Sequence, residues 1–354
     1  MTVTRSDSGA APGPGPSTHE APVVQPPQSA APPKADHRLK ALRMFATSIT
    51  VFTLLGHLFL GFEQSPITPI AAILFGYALD LVLETLDARA EGREPGYVGG
   101  IGKMVDYLLP THIAGLACAL LLWGNASLWP YLFAVAVAVS SKYLFRLPVR
   151  GRKKHFLNPS NFGIAVTLLI FPWVGIAPPY HFTNNTFGTV DWLIPLGILM
   201  AGTMLNVNLT KRWPLILAWV GGFALQAVLR WLFLDHMLLA ALMPMTGVAF
   251  ILFTNYMITD PGTTPSKPRN QMVFGFTTAM VYGLLVSFNI VFGLFFALVI
   301  TCVLRGLVLV GAPFVPGAAA TAPPPVTTPP GSGRTPASEE PSTPNTREPR
   351  ESHE

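Results

Sequence analysis

From Met44 to Gly311 the chain is a succession of apolar runs separated by short polar connectors. Each run is roughly 16–22 residues long, and about 20 residues of helix cross the hydrocarbon of a bilayer. Backbone in hydrocarbon must satisfy its own hydrogen bonds, so runs of this length are expected as helices. Ten spans are expected, at about 44–62, 66–86, 107–123, 128–146, 160–177, 190–206, 213–234, 238–258, 271–287 and 290–311. The fold class that follows is all-α, a polytopic membrane protein with ten transmembrane helices.

The basic residues orient these spans. The connectors at 62–66, 124–128, 177–190, 235–238 and 287–290 contain no Lys or Arg. The alternate connectors, with the segment before the first span, hold 17 of the chain's 23. They include Lys40 and Arg43, Arg89, Arg93 and Lys103, Lys142 to Lys154, Lys211 and Arg212, and Lys267 and Arg269. Lys and Arg stay on the cytoplasmic side because translocating them is costly. Both termini are therefore expected in the cytoplasm of a bacterial cell, with the spans in its inner (plasma) membrane. The net charge of +5 needs no nucleic-acid partner, since topology accounts for it loop by loop and no basic patch interleaved with aromatics remains. Membrane lipid is the expected surrounding.

Residues 1–38 and 312–354 are rich in Pro, Ala, Gly and Ser. They cannot bury enough apolar surface to offset ordering entropy and are expected as disordered cytoplasmic tails flanking a 39–311 transmembrane domain. Residues 1–33 have no apolar signal-peptide core, so the first span is expected to serve as an uncleaved insertion signal. Cys118 and Cys302 each lie inside a span, which suits small buried side chains and excludes a four-thiolate cluster.

Ten spans divide into halves of five, and an odd number per half inverts one half relative to the other, a plan found in carriers. Leu109-Pro110 through Gly115 opens the third span, and Met243-Pro244 through Gly247 opens the eighth, so a Pro and a nearby Gly recur at equivalent places.

Two cytoplasmic connectors are too polar and Pro-rich to be plain turns. In the first, Asn158-Pro159 starts a helix with an Asn cap and Pro at its first position. Asn161 then falls inside the span, where an amide needs a partner. In the second, Thr259-Asp260-Pro261 repeats the cap-plus-proline signal and is followed by Gly262, Thr263, Lys267 and Arg269. Read structurally, it is a solvated loop made basic by topology. Read chemically, its hydroxyls, carboxylate and cations suit a phosphate, the edge of an isoalloxazine ring, or a partner subunit. Asn158, Asn161, Thr259, Asp260, Thr263, Lys267 and Arg269 are the candidate binding residues, expected to converge at the inner face.

The stretches "NPSNFGIAVTLLIFPW" (158–173), "LNVNLTKRWPLILAW" (205–219) and "FTNYMITDPGTTPSKPRNQMVFG" (253–275) resemble the NqrB/RnfD family. Its members are membrane subunits of sodium-pumping quinone reductase and of Rnf electron-transport complexes. Within it, "SKYLFR" (141–146), "FPWVGIAPPY" (171–180) and "TDPGTTPSKPR" (259–269) look most similar to the stand-alone UnbU type of enediyne biosynthesis. The resemblance implies two inverted five-helix repeats and electron transfer through flavin, as an electron-transfer subunit and not a complete enzyme. It also implies a redox partner protein or biosynthetic enzymes at the cytoplasmic face. Family members that carry covalent FMN do so on a Thr in a Gly-Ala-Thr context. The loop here offers Thr183, Thr186 and Thr189 without that context, so covalent FMN is not expected and non-covalent riboflavin or FMN is. Readings from other classes are a transporter of a hydrophobic metabolite and a membrane scaffold without catalysis.

Other polar residues carry weaker signals. Asp80, Glu84 and Asp87 share a helix face near the inner end of the second span and are expected at a solvated helix end, with Lys142 or Arg146 as partners. His57 and His112 are expected as hydrogen-bonded core histidines. Arg230 and Asp235 are expected to form a snorkelling pair.

Overall fold

The computed structural model describes residues 37–149, 152–178 and 182–311, so the two expected tails lie outside the described residues, apart from the first turn of the first helix. Helices follow the apolar runs. They are α1 (His37–Leu58), α2 (Ile67–Ala90), α3 (Ile101–Leu121), α4 (Trp129–Leu144), α5 (Pro159–Ile170), α6 (Val190–Leu205), α7 (Trp213–Leu234), α8 (Leu238–Leu242), α9 (Val248–Leu252), α10 (Pro268–Ser287) and α11 (Gly293–Gly311). Wide-turn π segments extend α6 over Asn206–Thr210 and α9 over Phe253–Met257. Six helices are long and apolar enough to cross a membrane, and a seventh joins them if the bent pair Leu238–Thr246 and Val248–Met257 is one span. Their outer faces expose large apolar side chains, Trp192 at 79% and Phe233 at 77% among them, a surface that suits hydrocarbon and not water.

Two expectations need correction. The expected fifth span, 160–177, contains a helix of only 12 residues, roughly 18 Å long. Phe171-Pro172 ends it, and the chain then turns so that β4 (Gly175–Ile176) pairs with β1 (Leu122–Trp123). The expected eighth span is not one rod: it bends by 66° around Gly247, where Pro244 cannot continue the hydrogen-bond ladder. Pro110, by contrast, lies ten residues into α3, which runs through it unbroken. The fold is helical as expected, with a small antiparallel hairpin of β2 (Arg146–Val149) and β3 (Arg152–His155) before α5.

Glycines set the closest helix approaches. A Cβ on Gly163 would run into the carbonyl oxygen of Ala134, and one on Gly275 into that of Leu215. Accordingly α5 lies on α4, and α10 on α7. The core around this second contact is aromatic: Trp219, Phe223, Phe250 and Phe253 are all buried, and Trp219 Nε1 donates to Thr254 Oγ1 at 2.9 Å.

Candidate functional site

The two Pro-initiated openings meet. Asn158 caps α5, its Oδ1 accepting from the Asn161 amide at 3.1 Å and from Ser160 Oγ at 3.0 Å. Its Nδ2 donates to the Met257 carbonyl at 2.9 Å, two residues before Thr259. One amide therefore stitches the start of α5 to the π segment that leads into the second connector. That π segment is held from the other side by Asn206, whose Nδ2 donates to Asn255 O at 2.7 Å. Single π turns inside helices are frequent at functional sites.

Asp260 does not cap a helix as its sequence suggests; α10 begins at Pro268. It heads a turn instead. Its carboxylate accepts from the Gly262 amide at 3.1 Å and from Thr263 Oγ1 at 2.8 Å. A side chain on Gly262 would press on His155 Cε1 and on the Asp260 carboxylate, so the turn is closely walled.

A cleft opens beside this junction. It is lined by Phe45 of α1, Ile113 of α3, Lys142 of α4, His155, Asn158, Tyr256 and Asp260, and encloses roughly 670 Å³ counting its open mouth. A second, apolar pocket, roughly 510 Å³ counting its open mouth, adjoins it and shares Phe45, Ile113, Ser160 and Tyr256 with it. Together they form a space with a polar mouth and an apolar depth, the usual character of a small-molecule site.

Of the seven candidate residues, Asn158 and Asp260 line the cleft, and Thr263 steadies Asp260 from behind. Asn161 points elsewhere: its Nδ2 donates to Phe295 O of α11 at 2.9 Å. Thr259 is fully buried and bonds Asn255 O at 2.6 Å. Lys267 and Arg269 are exposed and do not line the cleft. Tyr256 was not among the candidates, because an aromatic in an apolar run carries no distinguishing signal. Lys142 was legible only as a partner for carboxylates.

That partnership is deeper than a solvated helix end. Asp80 is completely buried and Glu84 is 5% exposed. Asp80 accepts from Lys142 Nζ at 2.8 Å, from Tyr143 OH at 2.6 Å and from Thr111 Oγ1. Tyr143 OH in turn meets Tyr107 OH at 2.7 Å. Lys142 also donates to Thr111 Oγ1 at 2.7 Å. An ammonium has three donors, so the third N–H of Lys142, on the cleft wall, has no acceptor among the described residues. Nearer the surface, Arg93 grips Glu84 and Asp87 at 2.5 and 2.6 Å, and Arg146 meets Asp87 at 2.9 Å. Beyond α2, hydrogen bonds from Lys153 and then Arg93 hold the Glu91 carboxyl down to about 2.

His112 and His57, the two histidines inside spans, are hydrogen-bonded as expected. His112 meets Thr50 Oγ1 and Tyr77 OH, each at 2.7 Å. Thr50 already donates to Ala46 O, so His112 Nε2 carries the proton and Nδ1 accepts from Tyr77. Neither nitrogen is left for a metal. His57 Nδ1 meets Thr53 O at 2.8 Å. The expected Arg230–Asp235 pair does not form: Arg230 Nη1 reaches Gln226 Oε1 at 3.5 Å, while Asp235 ends α7 at a left-handed φ of 54°. Among the described residues, no group of three or more His, Cys, Asp or Glu could hold a metal ion.

No protein-family model and no curated protein matches the chain. The site therefore rests on its own geometry.

Proposed function

We propose that the chain is a membrane redox subunit of the NqrB/RnfD kind that holds a non-covalent flavin in the cleft beside Lys142 and Asp260. In this reading α4, α5 and α10 complete a set of ten membrane segments arranged as two inverted five-helix halves. Recurrent packing supports the arrangement. α1 lies on α3 as α6 lies on α9, α2 on α4 as α7 on α10, and α4 on α5 as α10 on α11. The cleft and both termini would face the cytoplasm of a bacterial cell, where a soluble partner could deliver electrons in the service of enediyne biosynthesis.

The observation that carries the reading is the cleft wall. An isoalloxazine edge alternates acceptors and a donor. The free N–H of Lys142 meets the first need and the Asp260 carboxylate the second, with Phe45 and Ile113 offering apolar surface to the rings. The same wall argues for riboflavin over FMN. Lys142 is neutralised by Asp80 at 2.8 Å, and the Asp260 carboxylate would oppose a phosphate. The flavin supplies the redox chemistry; the protein positions it and tunes its electronics. A covalent bond is disfavoured further at Thr186, whose hydroxyl already donates to Asp191 Oδ1 at 2.5 Å.

The test is the visible spectrum of protein purified in mild detergent, before and after dithionite. A flavin band that dithionite bleaches, that acid or heat releases, and that leaves no fluorescent band on a denaturing gel is expected. Colourless protein from a riboflavin-replete host would overturn the proposal. A second reading, transport of a hydrophobic metabolite, is favoured by the 66° break whose inner arm lines the apolar pocket. Colourless protein whose deletion traps the metabolite inside cells would support that reading instead.

A further inference from the structure

Two arginines lie near the second connector with no carboxylate in contact. Arg212, just before α7, is only 6% exposed. Its Nη1 donates to Pro265 O, and its Nε is buried with no acceptor. Arg305, half-buried in the apolar α11, donates through Nη1 to Thr263 O. Neither takes part in an ion pair among the described residues. Burial pushes the Arg212 guanidinium below its ordinary value, and Asp260 is the carboxylate that opposes this. Asp260 nevertheless contacts neither guanidinium; its oxygens bond Gly262 and Thr263.

Positive charge accumulates around the same corner. Lys211, Lys267 and Arg269 are exposed beside it. Lys267 caps α10 without a side-chain bond, and the first amide of that helix to find a backbone partner is Gln271. The start of α10 thus adds unpaired N–H groups and the positive end of a helix dipole. Topology explains lysines in a cytoplasmic connector. It does not explain a guanidinium that is buried, or one placed in an apolar helix. A cation buried without a counter-charge is strongly unfavourable, and an anion seated here would remove that cost.

We propose that the corner formed by Arg212, Arg305 and the start of α10 binds a phosphate-class anion. Guanidinium forks match phosphate oxygens in pairs, and a helix start adds backbone donors. The phosphate could belong to an anionic phospholipid of the inner leaflet or to a small soluble molecule. Arg212, Arg305 and the start of α10 do not line the cleft, and the proposal does not require a flavin to be bound.

The test is thermal unfolding of the full-length protein in neutral detergent. Inorganic phosphate is compared with chloride at matched ionic strength, and phosphatidylglycerol with phosphatidylcholine. At ligand about 100-fold above its Kd, a rise of about 5 °C is expected. A rise with phosphatidylglycerol alone identifies a lipid headgroup; a rise with inorganic phosphate as well identifies a free-phosphate site. Arg305→Gln and the exposed Lys267→Gln should each remove at least half of the rise, and Arg212→Lys, which keeps the charge but loses the fork, should reduce it. If neither probe raises the transition, if chloride does so equally, or if the Arg305→Gln/Lys267→Gln double variant responds like the parent, the proposal is wrong.

Discussion

Asp80 is the residue on which most of the buried polar structure depends. Three side chains converge on its carboxylate, and the cation among them, Lys142, is itself only 14% exposed at its side chain. Asp80→Ala should leave that ammonium buried without its counter-charge, a loss of about 3–5 kcal/mol. It should be seen as a lower unfolding temperature in detergent and recovered in part by Asp80→Leu with Lys142→Met. Asp260 should behave differently. It orders a turn and faces the cleft, so Asp260→Asn should keep membrane levels near the parent's while flavin co-purification falls at least tenfold. A pH effect belongs to Glu91. Its carboxyl is held from 4.5 down to about 2 by Lys153 and Arg93, so its contribution is present above pH 4.5 and fades as pH falls toward 2. Amide exchange in the β2–β3 hairpin, corrected for intrinsic rate, should rise across that window; unchanged protection would show that Glu91 does not hold the hairpin. The charges of this cluster were readable in the sequence as one helix face. Their burial was not, because it depends on α3 and α4 closing over them.

At the scale of elements, apolar length located the helices well, and α7 runs over 213–234 as expected. Length was less informative where the chain breaks. α5 and the α8–α9 segment are interrupted by Pro172 and Pro244, and whether a proline ends a helix or is absorbed, as Pro110 is in α3, depends on what lies beside it. Glycine roles were also invisible in one dimension. Gly275 faces the α7 backbone, whereas a Cβ on Gly221 would meet nothing within 4 Å. Gly275→Leu should therefore force α7 and α10 apart and cost about 1–3 kcal/mol or more, with Gly221→Leu near neutral. Equal membrane levels and unfolding temperatures for the two variants would contradict this packing.

For the whole molecule, the distribution of charge makes an orientation testable. An alkaline phosphatase fused after Tyr180 should be active and one at the C-terminus inactive; the opposite pattern would invert every assignment of an inner face. The sequence by itself determined that this chain carries helices long and apolar enough to span a membrane, where most of them run, and which connectors carry its charge. Those properties are set by transfer free energies of individual segments, which sum along the chain without regard to fold. Only the tertiary structure decided which polar groups share a cleft. Asn158 meets Met257 across 99 positions of sequence, while Asn161, three residues on, turns to α11. Lys142, readable in the sequence only as a partner for carboxylates, arrives at the cleft from α4, and Arg212 and Arg305 reach one connector from the start of α7 and from α11. Such meetings depend on the angles at which helices cross and on which glycines let backbones touch, and neither is encoded in local composition.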